Sequence, residues 1–402
     1  MSWKIKRLAD ICDIKLGKTP SRSDKSYWDD NKLGSNIWVS IADLSRLNTR
    51  FISDSKEYIT DKGASLFNPV KAGTLLMSFK LSIGKLAYAN CDLYTNEAIV
   101  ALPIKNNKEI NSDFLYYYLQ HYDWEKETEN DIKLKGKTLN KSKLSEIKIP
   151  VPSMELQTKI VEKLDSIFLE LDKAILATDA NRKNSDALFQ SYINKIFEKN
   201  YDNSKRLKDC CLIKPPKSDL RNLDDLLEVS FMPMEALGVN SKIAIPNQSR
   251  KLSEVSGSYT YFAEGDVLLA KITPCFENGK LGIANQLKNK IGFGSSEYIV
   301  FRPMNDVDSN WLYYFLNRNE FRFNGAKHMS GAVGHKRVTK EFIEDTILPL
   351  PSLVKQKELV SHIENIFAFT KSLELSCQSK SYQLKLLKQS ILKKAFNREL
   401  VI

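Results

Sequence analysis

Two kinds of loop in this 402-residue chain carry side chains suited to contacting a nucleic acid. The first is Lys271-Ile272-Thr273-Pro274-Cys275-Phe276-Glu277-Asn278-Gly279-Lys280, which follows a strand-like run; Ser78, Lys80, Ser82, Gly84 and Lys85 follow a similar run in the first half of the sequence. Lysine donates to guanine, asparagine pairs with the adenine edge and glutamate accepts from cytosine, so Lys271, Thr273, Cys275, Glu277, Asn278, Gly279 and Lys280 form a candidate base-reading set. An ordinary hairpin with a type I′ turn at Asn278-Gly279 explains the same residues equally well, and the two readings are compatible. The second kind of loop is basic and glycine-containing. Lys133, Lys135, Gly136, Lys137, Thr138, Lys141, Lys143 and Lys148 form one such stretch, and Lys327 to Arg337, with Ser330, Gly331, His335, Lys336 and Arg337, forms the other. Small residues let a backbone approach phosphates that flanking cations neutralise. Such runs are often only solvated faces; their recurrence in equivalent places makes a phosphate-binding role about as well supported as that reading. Lys18, Thr19, Ser21 and Arg22 complete the candidate set.

Catalytic constellations are not found. Gly17-Lys18-Thr19 and Gly136-Lys137-Thr138 look like the tail of a phosphate loop, but Cys12 and Asp131 stand where its first glycine belongs. Asn68-Pro69-Val70 lacks the second proline and the aromatic residue that would stack on a flipped base. Gly331-Ala332-Val333-Gly334 does not sit between a strand and a helix in dinucleotide fashion. Six cysteines without a C-x-x-C pair and four histidines without ligand spacing imply reduced thiols and no structural zinc. No stretch approaches the ~18 to 20 apolar residues of a membrane span, and the opening MSWKIKRLAD lacks a signal-type apolar run, so a cytoplasmic protein is expected. The 60 Lys+Arg against 49 Asp+Glu leave a charge of +11, which points to a polyanionic partner.

The elements that must position these loops come from an internal repeat. KRLADIC at Lys6 to Cys12 returns as KRLKDCC at Lys205 to Cys211, 199 residues on. Gly84-Lys85-Leu86-Ala87-Tyr88-Ala89-Asn90 answers Gly279-Lys280-Leu281-Gly282-Ile283-Ala284-Asn285, Asn96-Glu97-Ala98-Ile99-Val100 answers Ser296-Glu297-Tyr298-Ile299-Val300, and Phe114 to Leu119 answers Trp311 to Leu316. Gly73-Thr74-Leu75-Leu76 likewise answers Gly265-Asp266-Val267-Leu268; the offset wanders between 192 and 200 inside these stretches, then locks at 199 from Ile149-Pro150-Val151-Pro152-Ser153 and Leu348-Pro349-Leu350-Pro351-Ser352 onward. The first part of each half alternates strand-like runs (Thr74 to Phe79, Ala98 to Ile104, Asp266 to Ile272, Tyr298 to Arg302) with Gly, Asn and Pro loops and one aromatic helix, as a mixed α/β globule would.

After each Pro-x-Pro-Ser, no Pro or Gly appears through Asn200 or to the C-terminus, which predicts one long helix per half. Leu359, Ile363, Ile366, Thr370, Leu373, Cys377, Lys380, Leu384, Leu387 and Ile391 follow a 4,3 spacing, and Ile160, Leu164, Ile167, Leu171, Ala174, Thr178, Asn181, Ser185, Leu188 and Tyr192 repeat it. About 45 residues at 1.5 Å each reach roughly 65 Å. The expected class is α+β: two mixed α/β globules in pseudo-twofold arrangement, separated by two long antiparallel coiled-coil helices. The expected segments are 1–150, 151–200, 201–350 and 351–402.

With both halves laid out, the sequence resembles the specificity subunit of type I restriction-modification systems. Two globules alternating with two long helices, the Pro-x-Pro-Ser-x-x-x-Gln starts (Pro150 to Gln157, Pro349 to Gln356) and the Lys271 to Lys280 loop carry the resemblance, which covers essentially the whole chain. The family often has Glu before that Gln, whereas Leu156 and Lys355 stand here. The resemblance implies two target recognition domains, each reading one half of a bipartite, asymmetric double-stranded DNA site about one turn, roughly 34 Å, apart. It implies helices that fix the spacer, two modification (methyltransferase) subunits carrying S-adenosylmethionine for adenine methylation, and restriction (motor and nuclease) subunits using ATP and Mg. This chain would hold no cofactor, no metal and no catalytic residue, and would not contact a membrane. The rival readings are a stand-alone duplicated DNA-binding nuclease and a protein-binding coiled-coil adaptor.

Overall fold

Short apolar runs dictate a buried sheet at the centre of each half. The computed structural model describes residues 3–128, 132–133, 136–137, 139–199, 201, 203–332 and 334–400, with backbone alone at 132, 133, 136, 137 and 219. In the first half a five-stranded sheet runs, in spatial order, Lys15–Leu16, Ile99–Leu102, Leu75–Ser78, Leu86–Ala89, Phe51–Ile52. In the second half the order is Cys211–Ile213, Tyr298–Pro303, Val267–Ala270, Leu281–Ala284, Ile243–Ala244. Neighbours are antiparallel except the last pair, which is parallel in both. The four strand-like runs read from the sequence all contain central strands of these sheets.

Because successive strand side chains point to opposite faces, each central strand feeds two cores. Leu75 and Met77 join Phe114, Leu115 and Tyr117 of the aromatic helix Ser112–His121. Leu76 lies on the other face with Ile37 and Val39 of a smaller sheet, ordered Glu57–Tyr58, Ile37–Val39, Tyr94–Thr95. In the second half Val267 and Leu269 join Trp311 and Leu312 of the helix Ser309–Leu316, while Leu268 and Ala270 face Met232 and Phe262. Its smaller sheet has four strands: Gln248–Lys251, Glu228–Met232, Ile291–Gly294 and Thr260–Ala263. Strand register refines the repeat: Leu102 pairs with Leu75 as Phe301 pairs with Val267, so with Leu75 matched to Val267, 192 residues on, the strands Ile99–Leu102 and Tyr298–Pro303 correspond at 199 rather than at the 200 of the motif match.

The Pro-x-Pro-Ser-x-x-x-Gln motif ties each globule to its long helix through a buried amide. Gln157 is fully buried; its Nε2 donates to the carbonyls of Glu109 (2.9 Å) and Pro152 (3.0 Å), and its Oε1 accepts from the Asn111 N–H (2.8 Å). Gln356 repeats this on Asp306 (2.8 Å), Pro351 (2.8 Å) and Asp308 (2.9 Å). Asn111 and Asp308 are also the N-caps of the two aromatic helices, each accepting two helix N–H groups. One side chain thus joins the starts of two helices. The residue before it has no part in this: Leu156 packs against the core and Lys355 pairs with Glu358. A second tie repeats as well, since Arg50 pairs with Asp165 (2.6 Å) and Lys242 with Glu364.

The long helices are Met154–Phe197 and Leu353–Phe396, 44 residues each, about 66 Å at 1.5 Å per residue. Contacts divide the chain into two units, residues 1–177 with 380–402 and residues 178–379, so both helices contribute to both units. The units are cut within the helices, because each globule's apolar core continues onto them. In the first unit Ile160, Leu164 and Phe168 share a core with Leu392, Ala395 and Phe396, and Asp172 pairs with Lys388 (2.7 Å). In the second, Ile193, Ile196 and Phe197 share a core with Leu359, Val360 and Ile363, and Phe189 packs edge-on against Phe367 at 5.1 Å. Within each unit the two helices run antiparallel.

The predicted seam holds at Ile160, Leu164 and Thr178 and at Leu359, Ile363, Thr370 and Cys377, all buried. It fails further on: Leu188 and Leu387 are 54% and 45% exposed. Buried or half-buried positions advance there in steps of four, through Ser185, Phe189, Ile193 and Phe197, and through Lys388, Leu392 and Phe396. A straight helix drifts by about 20° per heptad from a strict 3.5 repeat, and packing onto a globule leaves that drift uncorrected.

Replacing Gln157 or Gln356 with leucine strands one N–H and two carbonyls in the interior. Each change is expected to lower the unfolding free energy by about 2–4 kcal/mol, measured by chaotrope unfolding. A loss below about 0.5 kcal/mol contradicts this role.

Candidate nucleic-acid interface

The loop after the strand Val267–Ala270 is held from below by an apolar anchor. Phe276 is fully buried beside Phe321, and Gly325 lies so close that a Cβ there would stand 2.4 Å from its ring. The backbone above Phe276 coils helically: Phe276 N–H donates to Ile272 and Asn278 N–H to Pro274, both at 3.0 Å. Lys280 N–H then returns to Cys275 and Gly279 N–H to Phe276, with Gly279 at φ 77°. This is a Schellman closure. The type I′ hairpin expected at Asn278-Gly279 is thereby corrected, since that turn requires positive φ at both residues and Asn278 is not in that region. Glycine is needed for this positive φ, and the Arg322 guanidinium lies across the turn, 2.4 Å from where a Cβ would be.

The loop pairs with the second candidate segment. Thr273 N–H donates to the Lys336 carbonyl and Val338 N–H to that of Lys271, both at 2.9 Å. Met329–Ser330 and Arg337–Val338 form the hairpin that carries Gly331 and His335. The two candidate stretches of the second half therefore form one surface. On it, Ser330, Gly331, His335, Lys336, Arg337, Glu277 and Asn278 are exposed, while Thr273 and Cys275 are half-buried.

Two lysines of the set are committed to the fold. Lys271 donates to the Ser296 carbonyl at 2.8 Å, and burial pushes its ammonium below the ordinary value. Lys280 donates to the Met234 carbonyl at 2.7 Å. Each ammonium therefore spends one of its three N–H donors on a backbone carbonyl. Between Lys271 and the hairpin stands Glu297, which accepts both arms of Arg337 (2.7 and 2.9 Å) and lies 3.8 Å from Lys271. Lys214, Lys271, Arg337 and Lys340 surround a cavity of about 550 Å³ floored by Ile213, Ile299, Val338 and Ile343.

The first half repeats the plan with different side chains. Ile132–Lys133 and Gly136–Lys137 form the matching hairpin, with Lys133 opposite Gly136; Lys135 and Thr138 lie outside the described residues. Leu139 N–H donates to the Phe79 carbonyl as Val338 does to Lys271. Ser78 is fully buried; its hydroxyl donates to the Ser82 carbonyl and accepts the Lys85 N–H at 2.9 Å, so it shapes the loop rather than reading DNA. Ser82 and Lys85 are exposed and Lys80 is half-buried.

Lys18 to Arg22 come to the same place. Thr19 donates to Glu97, and the charges of Lys80 and Arg22 help hold the Glu97 carboxyl below its ordinary range after that hydrogen bond. Lys18 and Ser21 are exposed. Gly17 is packed against Thr95 and Asn96, where a Cβ would meet the Asn96 carbonyl at 2.1 Å, so the Gly-Lys-Thr there is a close backbone contact and not a phosphate loop. Glu97 and Glu297 were not among the candidates, although both stand in the matched repeat; only their position between loops distant in sequence reveals their role. Among the described residues there is no group of three or more His, Cys, Asp or Glu placed to hold a metal, and no helix is long and apolar enough to cross a membrane.

The Arg337 fork holds the Glu297 carboxyl below the ordinary carboxylate range, assisted by the Lys271 charge and opposed by burial. A depressed folded-state value means that the pair stabilises the fold above the unfolded value of about 4.3 and is lost as pH falls through the lower folded value. In an NMR titration the Glu297 carboxyl is expected to titrate below about 4.3 and to move upward in Arg337→Ala. An unchanged midpoint in that variant contradicts the pairing.

Comparison with known proteins agrees with the duplicated plan. The profile of the family described as type I restriction modification DNA specificity domain matches twice, over residues 1–178 and 199–376. The EcoAI specificity subunit of Escherichia coli is 37% identical over 161 residues, 40% of this chain and 27% of the relative. The EcoEI subunit is likewise 37% identical over 38% of this chain and 26% of its own length, so the chain matches about a quarter of each of these relatives. The EcoDI specificity subunit of Escherichia coli is 24% identical across 100% of this chain and 89% of the relative. Among solved structures, a chain of a type I R-M system has a TM-score of 0.72 at 17% identity, covering 99% of this chain and 98% of its own. The HsdS subunit from Thermoanaerobacter tengcongensis has a TM-score of 0.54 at 18% identity, covering 99% and 97%. At these identities the structural likeness speaks for the fold. With the family profile covering both halves, the chain belongs to the type I restriction modification DNA specificity domain family and carries two copies of that domain.

Proposed function

We propose that this chain is the DNA sequence-specificity subunit of a type I restriction-modification complex, reading a bipartite, asymmetric double-stranded site with one globule per half-site. The observation that carries the reading is the duplication: each globule presents a loop-and-hairpin surface with exposed cations, and each is fastened by the same buried glutamine to a 44-residue helix. Asn278 supplies amide chemistry for a base edge, and Lys336 supplies a cation for phosphate. The helices act as a spacer of fixed length. Methylation and cleavage belong to partner subunits, the former using S-adenosylmethionine and the latter ATP and Mg, and this chain contributes no catalytic group. The nuclease and adaptor readings draw no support from family membership.

The test is the methylation motif produced by the full chain assembled with its methyltransferase partner, mapped by methylation-sensitive sequencing. Wild type is expected to give a two-part motif with an unread spacer; absence of any motif sinks the proposal. Asn278→Ala is expected to relax one position in one half-site only, at a cost of about 1–3 kcal/mol in discrimination. Inserting one short segment between Asn181 and Asp186 is expected to change the spacer and leave both half-sites intact; altered half-sites with a fixed spacer refute the ruler. Lys336→Ala is expected to weaken binding evenly across sequences and to lower the salt slope by about 1.

A further inference from the structure

The smaller sheets hold a guanidinium that neither the loops nor the hairpins supply. In the first unit Arg22 lies 3.8 Å over the ring of Trp28 and 4.7 Å from that of Trp38, and the two rings meet edge-on at 5.0 Å. In the second unit Arg250 lies 3.7 Å over the ring of Phe231 and 5.7 Å from that of Tyr259, and those rings meet edge-on at 4.8 Å.

Strand register makes the two positions equivalent. Trp38 pairs antiparallel with Glu57 and parallel with Tyr94, as Phe231 pairs antiparallel with Gln248 and parallel with Phe293. Yet the arginines come from unrelated segments: Arg22 from a loop ahead of the sheet, Arg250 from the edge strand Gln248–Lys251. Two different routes reach one arrangement. A flat guanidinium stacked on an aromatic ring keeps its hydrogen-bonding edge outward, with little orientation left to lose on binding.

The halves differ at the residue opposite the aromatic. In the first, Glu57 takes both arms of the Arg22 fork. In the second, that position is the exposed amide Gln248, and Arg250 makes one long contact with the Tyr259 hydroxyl at 3.5 Å. Among the described residues no carboxylate lies within ion-pair distance of Arg250. Gln248 and Arg250, two residues apart on the edge strand, stand on one face of the small sheet. An amide and a guanidinium fork without a carboxylate partner are groups that read base edges.

We infer that Arg250 is a specificity-determining residue of the second half-site, its fork taking the O6 and N7 edge of a guanine in the major groove, with Phe231 and Tyr259 as its platform. This rests on the reading of the chain as a DNA-specificity subunit, and it adds a residue of the edge strand to the candidate set of the second half. Arg22, closed by Glu57, is the equivalent position in the first half held by an internal carboxylate.

The experiment is motif mapping by methylation-sensitive sequencing with the full chain and its methyltransferase partner, in wild type, Arg250→Ala and Arg250→Lys. Lysine keeps the charge and the ring contact but not the two-pronged fork. Both variants are expected to lose preference for guanine at one position of one half-site by about tenfold or more, with the other half-site and the spacer unchanged. An unchanged motif in Arg250→Lys, with its chaotrope unfolding midpoint also unchanged, overturns the inference. So does a uniform loss across all sequences, which marks a phosphate contact, and so does an unchanged motif with a lowered midpoint, which marks a cap on the sheet. If wild type methylates no motif, the underlying reading fails instead.

Discussion

The structure depends on one buried amide per half. Gln157 and Gln356 each satisfy two carbonyls and one N–H belonging to the segment before an aromatic helix and to the turn that starts a long helix. A neutral amide suits this place because it both donates and accepts; a carboxylate would leave two carbonyls facing a charge, and an apolar residue would leave all three backbone groups unmet. The Pro-x-Pro-Ser stretch delivers the chain to that point, with Ser153 and Ser352 opening the first turn by accepting the N–H groups of Leu156 and Lys355. Everything C-terminal to the amide is then indexed from it. That is why the repeat holds at 199 along the helices while it wanders inside the globules, where loop length changes no helix register.

The two halves share a scaffold and differ where they face outward. The strand orders of the five-stranded sheets are the same, and the glutamine ties and the Arg50–Asp165 and Lys242–Glu364 pairs recur. The loops after the central strands do not: one is a short turn shaped by the Ser78 hydroxyl, the other a helical coil anchored by Phe276. The small sheets have three strands in one half and four in the other. Loops on a duplicated frame can diverge without disturbing what holds them.

Much of this was legible in the sequence for identifiable reasons. Buried strands are short apolar runs, the aromatic helices carry Asn and Asp caps, and long segments without Pro or Gly have few alternatives to a helix. What escaped depends on contacts between distant segments. The drift of the helix seam past Thr178 and Cys377 depends on what the helix packs against, which a heptad count does not contain. Lys271 and Lys280 look like free cations until the carbonyls of Ser296 and Met234 are placed beside them. Asn278-Gly279 reads as a hairpin turn unless Phe276 is known to pull the preceding residues into a coil. Arg22 stood in the candidate set, but its setting on Trp28 and Trp38 and its capture by Glu57 join residues up to 35 positions apart.

The central claim is that each globule reads its own half-site independently of the other. The most direct measurement replaces the first globule with a second copy of the second, joined to the first long helix at Pro152-Ser153, and maps the motif methylated by the resulting full-length chain with its partner. The account predicts a motif whose two halves are the same sequence in inverted orientation, both matching the half-site lost on mutation of Asn278. Retention of the original asymmetric motif would contradict it.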